Sequence, residues 1–415
     1  MNVRKEYELL EKLYFERIGG TEDELRACTI IQDELKEIGL ESTIESFEVV
    51  KNEVSEVLLE VLEPYHKVYE AKAYSDCADA DLECELYYFE ADNEVCKREV
   101  KGKVALVNGY LGMRVYKAIA EAGATGFISF NGNIDLDNND LDPRELRKPL
   151  HAFGVLPGVN MRVEDAMEMV DKHATKVRIV TKQTVTTSNS HNLVCDIKGE
   201  SDDVIVVCAH YDSVPYSKGA YDNGTGSVAL YAIADELKDK KLKHNIRFIW
   251  CGSEERGLLG SKAYVADHKD ILDNIKLCIN IDMIGNTMGS RHAVCTSEEA
   301  FVHYLDYHGK MNGFPIGVKQ GVYSSDSTPF ADAGIPAVSF ARWAALGTGV
   351  IHSNRDVIEH ISERILGEDT AYICKVVEDL ANAYMVPVKR EMPQNMKDEI
   401  ERYYGRDWFN GCGSR

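Results

Sequence analysis

The sequence predicts an α/β protein: a mixed, largely parallel sheet flanked by helices, with a smaller α/β domain inserted into it. Three observations carry that expectation. A short β-branched run without a polar break at residues 204–208 has the composition of a strand buried on both faces, as in parallel sheets, and 245–251 reads as a further strand that runs straight into Glu254 and Glu255. A segment with helical spacing, 227–237, follows the first of them across a glycine-rich turn, as in a strand-loop-helix unit. Between about residues 57 and 182 the composition shifts to tyrosine and acidic clusters with a strand-helix alternation of its own, which marks an insertion. The domains so drawn are 1–56 with 183–390 for the main domain, 57–182 for the insert and 391–415 for a polar tail.

Composition bounds the function. A chain of 415 residues buries at least one large core, and 44% hydrophobic with 28% charged residues is the make-up of a soluble globular protein. The longest apolar runs fall well short of the ~18 residues of a membrane span. Residues 1–12 are charged and amphipathic with no apolar signal region, so a cytoplasmic location and no membrane partner are expected. A net charge of −22 excludes nucleic acid and anionic membrane, which need basic surface. The 11 cysteines are scattered, with no Cys-x-x-Cys pair, against both a disulfide framework and a thiolate zinc site. Cys208, Cys251 and Cys278 sit inside apolar runs and read as core. Formation of a homo-oligomer is left open by the sequence.

Taken in order, Thr21 reads as an N-cap with Glu24 at capping-box distance. It opens a helix over 23–38, where Leu25, Cys28, Ile31, Leu35 and Ile38 recur at helical spacing and Gly39 supplies the stop. Residues 43–50 alternate as a strand. In the insert, 103–108 is a strand, 113–122 a helix ended by Gly123, and 126–130 a second strand; a further strand-helix-strand runs through 154–157, 163–173 and 176–181. The acidic run Asp135, Asp137 and Asp140 invites a calcium reading, but an EF-hand loop needs glycine sixth and glutamate twelfth, where Asp140 and Leu146 stand. A solvated acidic loop is the better account. The main domain resumes with strands at 192–197, 204–208, 245–251, 276–281 and 336–340 and a long helix at 362–384, whereas 392–415 shows little core-forming pattern.

Chemistry collects where these strands end. His210 and Asp212 follow the first, Glu254 and Glu255 the second, Asp282 the third and, after a loop, His352 the fourth, while Asp222 lies in the turn before the 227–237 helix. The carboxyl edge of an open α/β sheet is where ligands bind. Two histidines and three carboxylates at one such edge suit two zinc ions, with cobalt or manganese as substitutes. A shared carboxylate would hold them ~3.5–4 Å apart, where they lower the pKa of a bridging water and polarise a carbonyl. Of the doublet Glu254-Glu255, one carboxylate can ligate while the other acts as general base. Singly, Asp222-Asn223-Gly224 is turn chemistry and a Glu-Glu doublet a solvated helix start. Their joint placement outweighs those readings.

The ordered set His-x-Asp, Asp-Asn-Gly-x-Gly, Glu-Glu-x-Gly-x-x-Gly-Ser, Asp-Met-x-Gly and His-Ser resembles the M28 family of co-catalytic zinc metallopeptidases, nearly continuously from about residue 192 to 356. The helix-strand opening at 17–50 is also similar. The resemblance implies a zinc-exopeptidase-like fold in which Asp222 bridges the metals, His210 and Asp282 complete one, and Glu255 and His352 the other. It makes Glu254 the general base and Asp212 the acceptor of a hydrogen bond from the His210 ring. Residues 102–107, 117–126 and 156–159 resemble a protease-associated domain, an insert that covers the site and shapes access. Ser325 to Phe330 looks like the family's substrate-side motif, with Ser327 where histidine often follows Asp326. Tyr323 lies near the place of an oxyanion-stabilising tyrosine. The implied activity is that of an aminopeptidase: a metal-bridged hydroxide attacks the first carbonyl of a peptide with a free amino terminus. Relatives also include carboxypeptidases and glutaminyl cyclases, for which Arg342 or Arg355 would bind a carboxylate, and non-catalytic receptor-like scaffolds, which would have lost ligands that are all present here.

Overall fold

The structure, a computed structural model, describes residues 2–109, 111–136 and 141–406. The chain divides into two units, Met1–Val49 with Ser188–Arg415, and Val50–Thr187. The strands Ser42–Glu63 and Lys176–Ile197 continue unbroken from one unit into the other, so the boundaries expected at 57 and 182 fall inside the second unit.

The sheet of the first unit is ordered Ile316–Gln320, Gly289–Thr296, Ala337–Ala344, Ile275–Ile281, Val204–His210, Asn245–Cys251, Lys176–Ile197. The four strands that precede the site residues are mutually parallel and adjacent. Antiparallel partners on each side, Gly289–Thr296 and Lys176–Ile197, make the sheet mixed. The period of two along a strand sends Ile205, Val207 and Ala209 into one core and Val206 and Cys208 into another, so both faces are covered. Ile205, Val206 and Val207 each contribute about 1.5–3 kcal/mol on burial. The first core is completed by the helices Val3–Lys12, Glu22–Glu37, Thr225–Leu237 and Glu363–Ala381, the second by Tyr264 and Phe330 from Leu259–Asp267 and Ser327–Asp332.

Several elements differ from expectation. The strands Gly289–Thr296 and Ile316–Gln320 and the helix Glu299–Met311 were not foreseen: the first opens on Ser290, Arg291 and His292, and the second is an edge strand with no fully buried residue. The C-terminal segment is not a tail without core pattern. Gln394–Tyr403 is a helix whose Met396 and Ile400 join the Phe330 core. Its stripe of two residues four apart is too narrow to stand out among charged neighbours. At Thr21 the cap forms, with Glu24 N donating to Thr21 Oγ1 at 3.3 Å, but the box does not close: the Glu24 carboxylate accepts instead from Gly20 N and from the buried Ser190 hydroxyl.

The unit Val50–Thr187 has a parallel run of its own, Ala80–Phe89, Val104–Val107, Gly126–Asn131 and Gly158–Arg162. Tyr116 and Phe127 centre one of its cores and Leu106, Ile128 and Met161 the other. Asp135, where the calcium reading begins, is exposed; residues 137–140 lie outside the described residues. Among the described residues no helix is long and apolar enough to cross a membrane.

Candidate metal centre

The parallel strands deliver the site by ending together. His210 is the last residue of Val204–His210, Asp282 follows Ile275–Ile281 directly, and Glu254 and Glu255 come just after Asn245–Cys251. Asp222 reaches them from the turn that opens Thr225–Leu237, and His352 from the loop after Ala337–Ala344. That turn needs its glycines. Gly219 has φ +52°, and a Cβ there would meet the Asp222 carbonyl at 2.6 Å; one on Gly226 would lie 2.3 Å from the Ile281 carbonyl. Three non-glycine residues in the loops that follow these strands also take left-handed backbone: Ser253 (φ +52°), Met283 (φ +61°) and His352 (φ +56°). Such positions cost about 1–3 kcal/mol each and gather where structure serves a site.

All five residues expected as ligands converge. His210, Asp222 and Asp282 form one group, and Asp222, Glu255 and His352 a second; within each, one donor atom per residue lies within 4.8 Å of the others. Asp222 belongs to both and divides its oxygens between them: Oδ1 is 3.2 Å from His210 Nε2, Oδ2 3.1 Å from His352 Nε2. His210 Nε2 is also 3.6 Å from Asp282 Oδ1, and His352 Nε2 3.1 Å from Glu255 Oε2. Glu254 belongs to neither group. His210 is 1% exposed at its side chain, His352 52%, so the first group is sealed and the second faces outward.

Burial would lower the His352 pKa, but its hydrogen bonds to Asp222 and Glu255 outweigh this and hold the ring up to about 11. His210 is likewise held well above the usual imidazole range, with Glu254, Asp212, Asp222 and Asp282 overriding burial. Burial, reinforced by the Asp222 charge, pushes Glu255 up to about 7. The Glu254 carboxyl is raised well above its ordinary range by burial and by the charges of Glu255, Asp326 and Asp282, against the opposing pull of His210.

Asp212 lies beside the His210 ring, whose Nδ1 is buried without a hydrogen-bond partner, so the expected bond between the two does not close. Asp212 Oδ1 is 3.4 Å from His210 Nδ1, while the two Asp212 oxygens accept the Glu254 and Glu255 backbone N–H groups at 3.0 and 3.1 Å. One fully buried carboxylate thus holds the backbone of the glutamate pair and lies against the histidine ring. The Tyr323 hydroxyl is buried without a hydrogen-bond partner, and burial, then the charges of Asp282 and Asp222, raise its pKa. Asp326 accepts from Ser261 Oγ at 2.6 Å and leaves Oδ2 buried and unpartnered. Arg342 is buried, and its Nε donates to the Asn286 carbonyl at 2.6 Å.

Two residues with no sequence signal stand behind the site. Arg17, 1% exposed, donates to five backbone carbonyls, those of Leu13, Phe15, Tyr211, Lys218 and Gly219, and so ties both ends of the loop between His210 and Asp222. Asp356, 3% exposed, accepts the Tyr221 and Asp222 N–H groups. An arginine in a turn and an aspartate four residues past a histidine carry no pattern until the chain is folded.

The residues fit divalent zinc. Glu255 Oε1 and Asp282 Oδ1 are buried without a hydrogen-bond partner, and several carboxylates share one buried edge, an arrangement a cation relieves. Imidazole and carboxylate are its usual nitrogen and oxygen donors. A profile of peptidase family M28 matches residues 192–377, which hold every ligand position. The chain is 29% identical over 421 residues to aminopeptidase YwaD of Bacillus subtilis (strain 168), across 93% of this chain and 86% of that one. It is 33% identical over 193 residues to leucine aminopeptidase 2 of Trichophyton rubrum, across 45% of this chain and 38% of that one. The solved structure of BSAP, a zinc aminopeptidase from Bacillus subtilis, superposes with a TM-score of 0.77 at 26% identity, covering 94% of this chain and 97% of that one. The ordered motifs, the shared fold and the converging ligand set all agree with the match of residues 192–377 to peptidase family M28.

Proposed function

We propose that the protein is a metallo-aminopeptidase that removes residues from the free amino termini of peptides, using two zinc ions and Glu254 as general base. The observation that carries this reading is the division of Asp222 between two histidines, with Glu254 part of neither donor group yet interacting by charge with His210 and Asp282 of one and Glu255 of the other. His210, Asp222 and Asp282 would hold one ion, and Asp222, Glu255 and His352 the other. When bound, the pair supplies Lewis acidity, lowering the pKa of water and polarising the scissile carbonyl. Glu254, whose carboxyl is already pushed toward proton affinity, takes a proton from the attacking water and returns it to the leaving amine. Tyr323, with a buried and unpartnered hydroxyl, donates toward the developing oxyanion. The surplus of carboxylates favours a substrate ammonium group.

Glu254→Gln keeps the size of the side chain and abolishes its basicity. It should retain zinc at the wild-type content and lose about 10²–10⁴ of turnover on an aminoacyl fluorogenic substrate. Near wild-type turnover would remove Glu254 from the role. Wild-type cleavage of amino-terminally blocked peptides in preference to free ones would overturn the aminopeptidase reading.

A further inference from the structure

Asp222 is gripped from two sides, and each grip leads to a different ligand. On one side the neighbouring Asn223 side chain donates to the Ile281 carbonyl at 2.9 Å and accepts from Met283 N at 3.1 Å, bracketing Asp282 on both sides. The bridging residue is thereby fastened to the strand end that completes the His210 group. On the other side Asp356 takes the Tyr221 N–H on Oδ1 at 2.7 Å and the Asp222 N–H on Oδ2 at 3.0 Å. Asp356 lies four residues past His352, and its own N–H donates to the Ser353 carbonyl at 3.2 Å. Around His352 the loop is open: Val350 is 40% exposed and Ile351 37%, whereas Asp356 is 3% exposed.

We infer that Asp356 is a positioning residue for the metal site of Asp222, Glu255 and His352 alone, a clamp that locks the exposed His352 loop to the backbone of the bridging aspartate. The inference rests on the two-zinc reading and adds an asymmetry to it. The His210 group stands on two strand ends and the Asn223 bracket, and survives when the clamp is loosened. The His352 group has its histidine on a loop and depends on the clamp. Carboxylate geometry matters here because both oxygens accept; an asparagine would turn an NH₂ group against one of the two backbone N–H groups.

The test is zinc content and affinity over a series of zinc-buffered solutions, for wild type, Asp356→Asn, Asp356→Glu and, as a one-site reference, His352→Ala. Wild type should hold two zinc ions per chain. Both Asp356 variants should keep the tighter site within about twofold and weaken the other about 10–100-fold, the range for residues that orient metal ligands. At intermediate free zinc they should then match the single-ion occupancy of His352→Ala, and excess zinc should restore turnover. Equal weakening of both sites, or no weakening of either, would overturn the clamp. Failure of both Asp356 variants to give wild-type circular dichroism would overturn it too, by assigning the residue to the fold in general. A wild type holding fewer than two ions would instead strike at the two-zinc reading beneath it.

Discussion

Asp212 shows how much one buried carboxylate decides. It faces the His210 ring and accepts from the backbone of both Glu254 and Glu255, so three expected site residues share a single support. Asp212→Asn can satisfy only one of the two N–H groups, and the other is left opposed by a donor. We expect zinc affinity or kcat/KM to fall about 10–100-fold, read by chelator competition and steady-state kinetics. The histidines set a second expectation. The acidic surroundings hold His352 up to about 11 in the metal-free protein, so the ring is protonated at neutral pH and must give up its proton to ligate. Zinc binding should release on the order of one to two protons per chain near pH 7 and tighten as pH rises. Calorimetry in two buffers of different ionisation enthalpy measures this; equal heats in both would contradict it.

The elements that carry the site are joined by their connections as much as by the sheet. Arg17 precedes Glu22–Glu37 in sequence, yet its guanidinium organises the loop after Val204–His210 through the carbonyls of Tyr211, Lys218 and Gly219. Burial brings its pKa down to about 10, which leaves it charged at neutral pH. Arg17→Met fills similar space but strips three buried and two part-buried acceptors of their donor. With about 1–3 kcal/mol for an abandoned buried group, a loss of at least ~3 kcal/mol in denaturant unfolding is expected. A change below about 1 kcal/mol would mean that water replaces the guanidinium at little cost.

For the molecule as a whole, stability should depend on a carboxyl remote from the metal centre. Glu6, on the helix Val3–Lys12, is 1% exposed and accepts from Thr370 Oγ1 at 2.6 Å. Burial, with Asp369 adding to it, raises its pKa to about 8 from an ordinary 4.5. In that window the folded chain holds a proton that the unfolded chain has released, so stability falls as pH rises, by at most ~1.4 kcal/mol per pH unit. Glu6→Gln should flatten this slope and be more stable than wild type at pH 8. An unchanged slope in unfolding experiments from about pH 6 to about pH 8.5 would show that Glu6 is ionised in the fold.

The sequence by itself determined the chemistry and the class of fold. Short, mostly apolar strands followed by His210, Glu254, Glu255 and Asp282 place ligand-type residues at one sheet edge, because parallel strands share a direction and so end together. Segments with weak periodicity were not legible. The edge strand Ile316–Gln320 and the narrow stripe of Met396 and Ile400 depend on neighbours for their burial, and nothing local announces those neighbours. Tertiary structure alone decided which supports each ligand has. Arg17 and Asp356, and Asp212 in its hold on the Glu254 and Glu255 N–H groups, reach backbone groups distant in sequence, and a backbone N–H or carbonyl is the same at every position, so no choice of residue type there could signal that it is to be held.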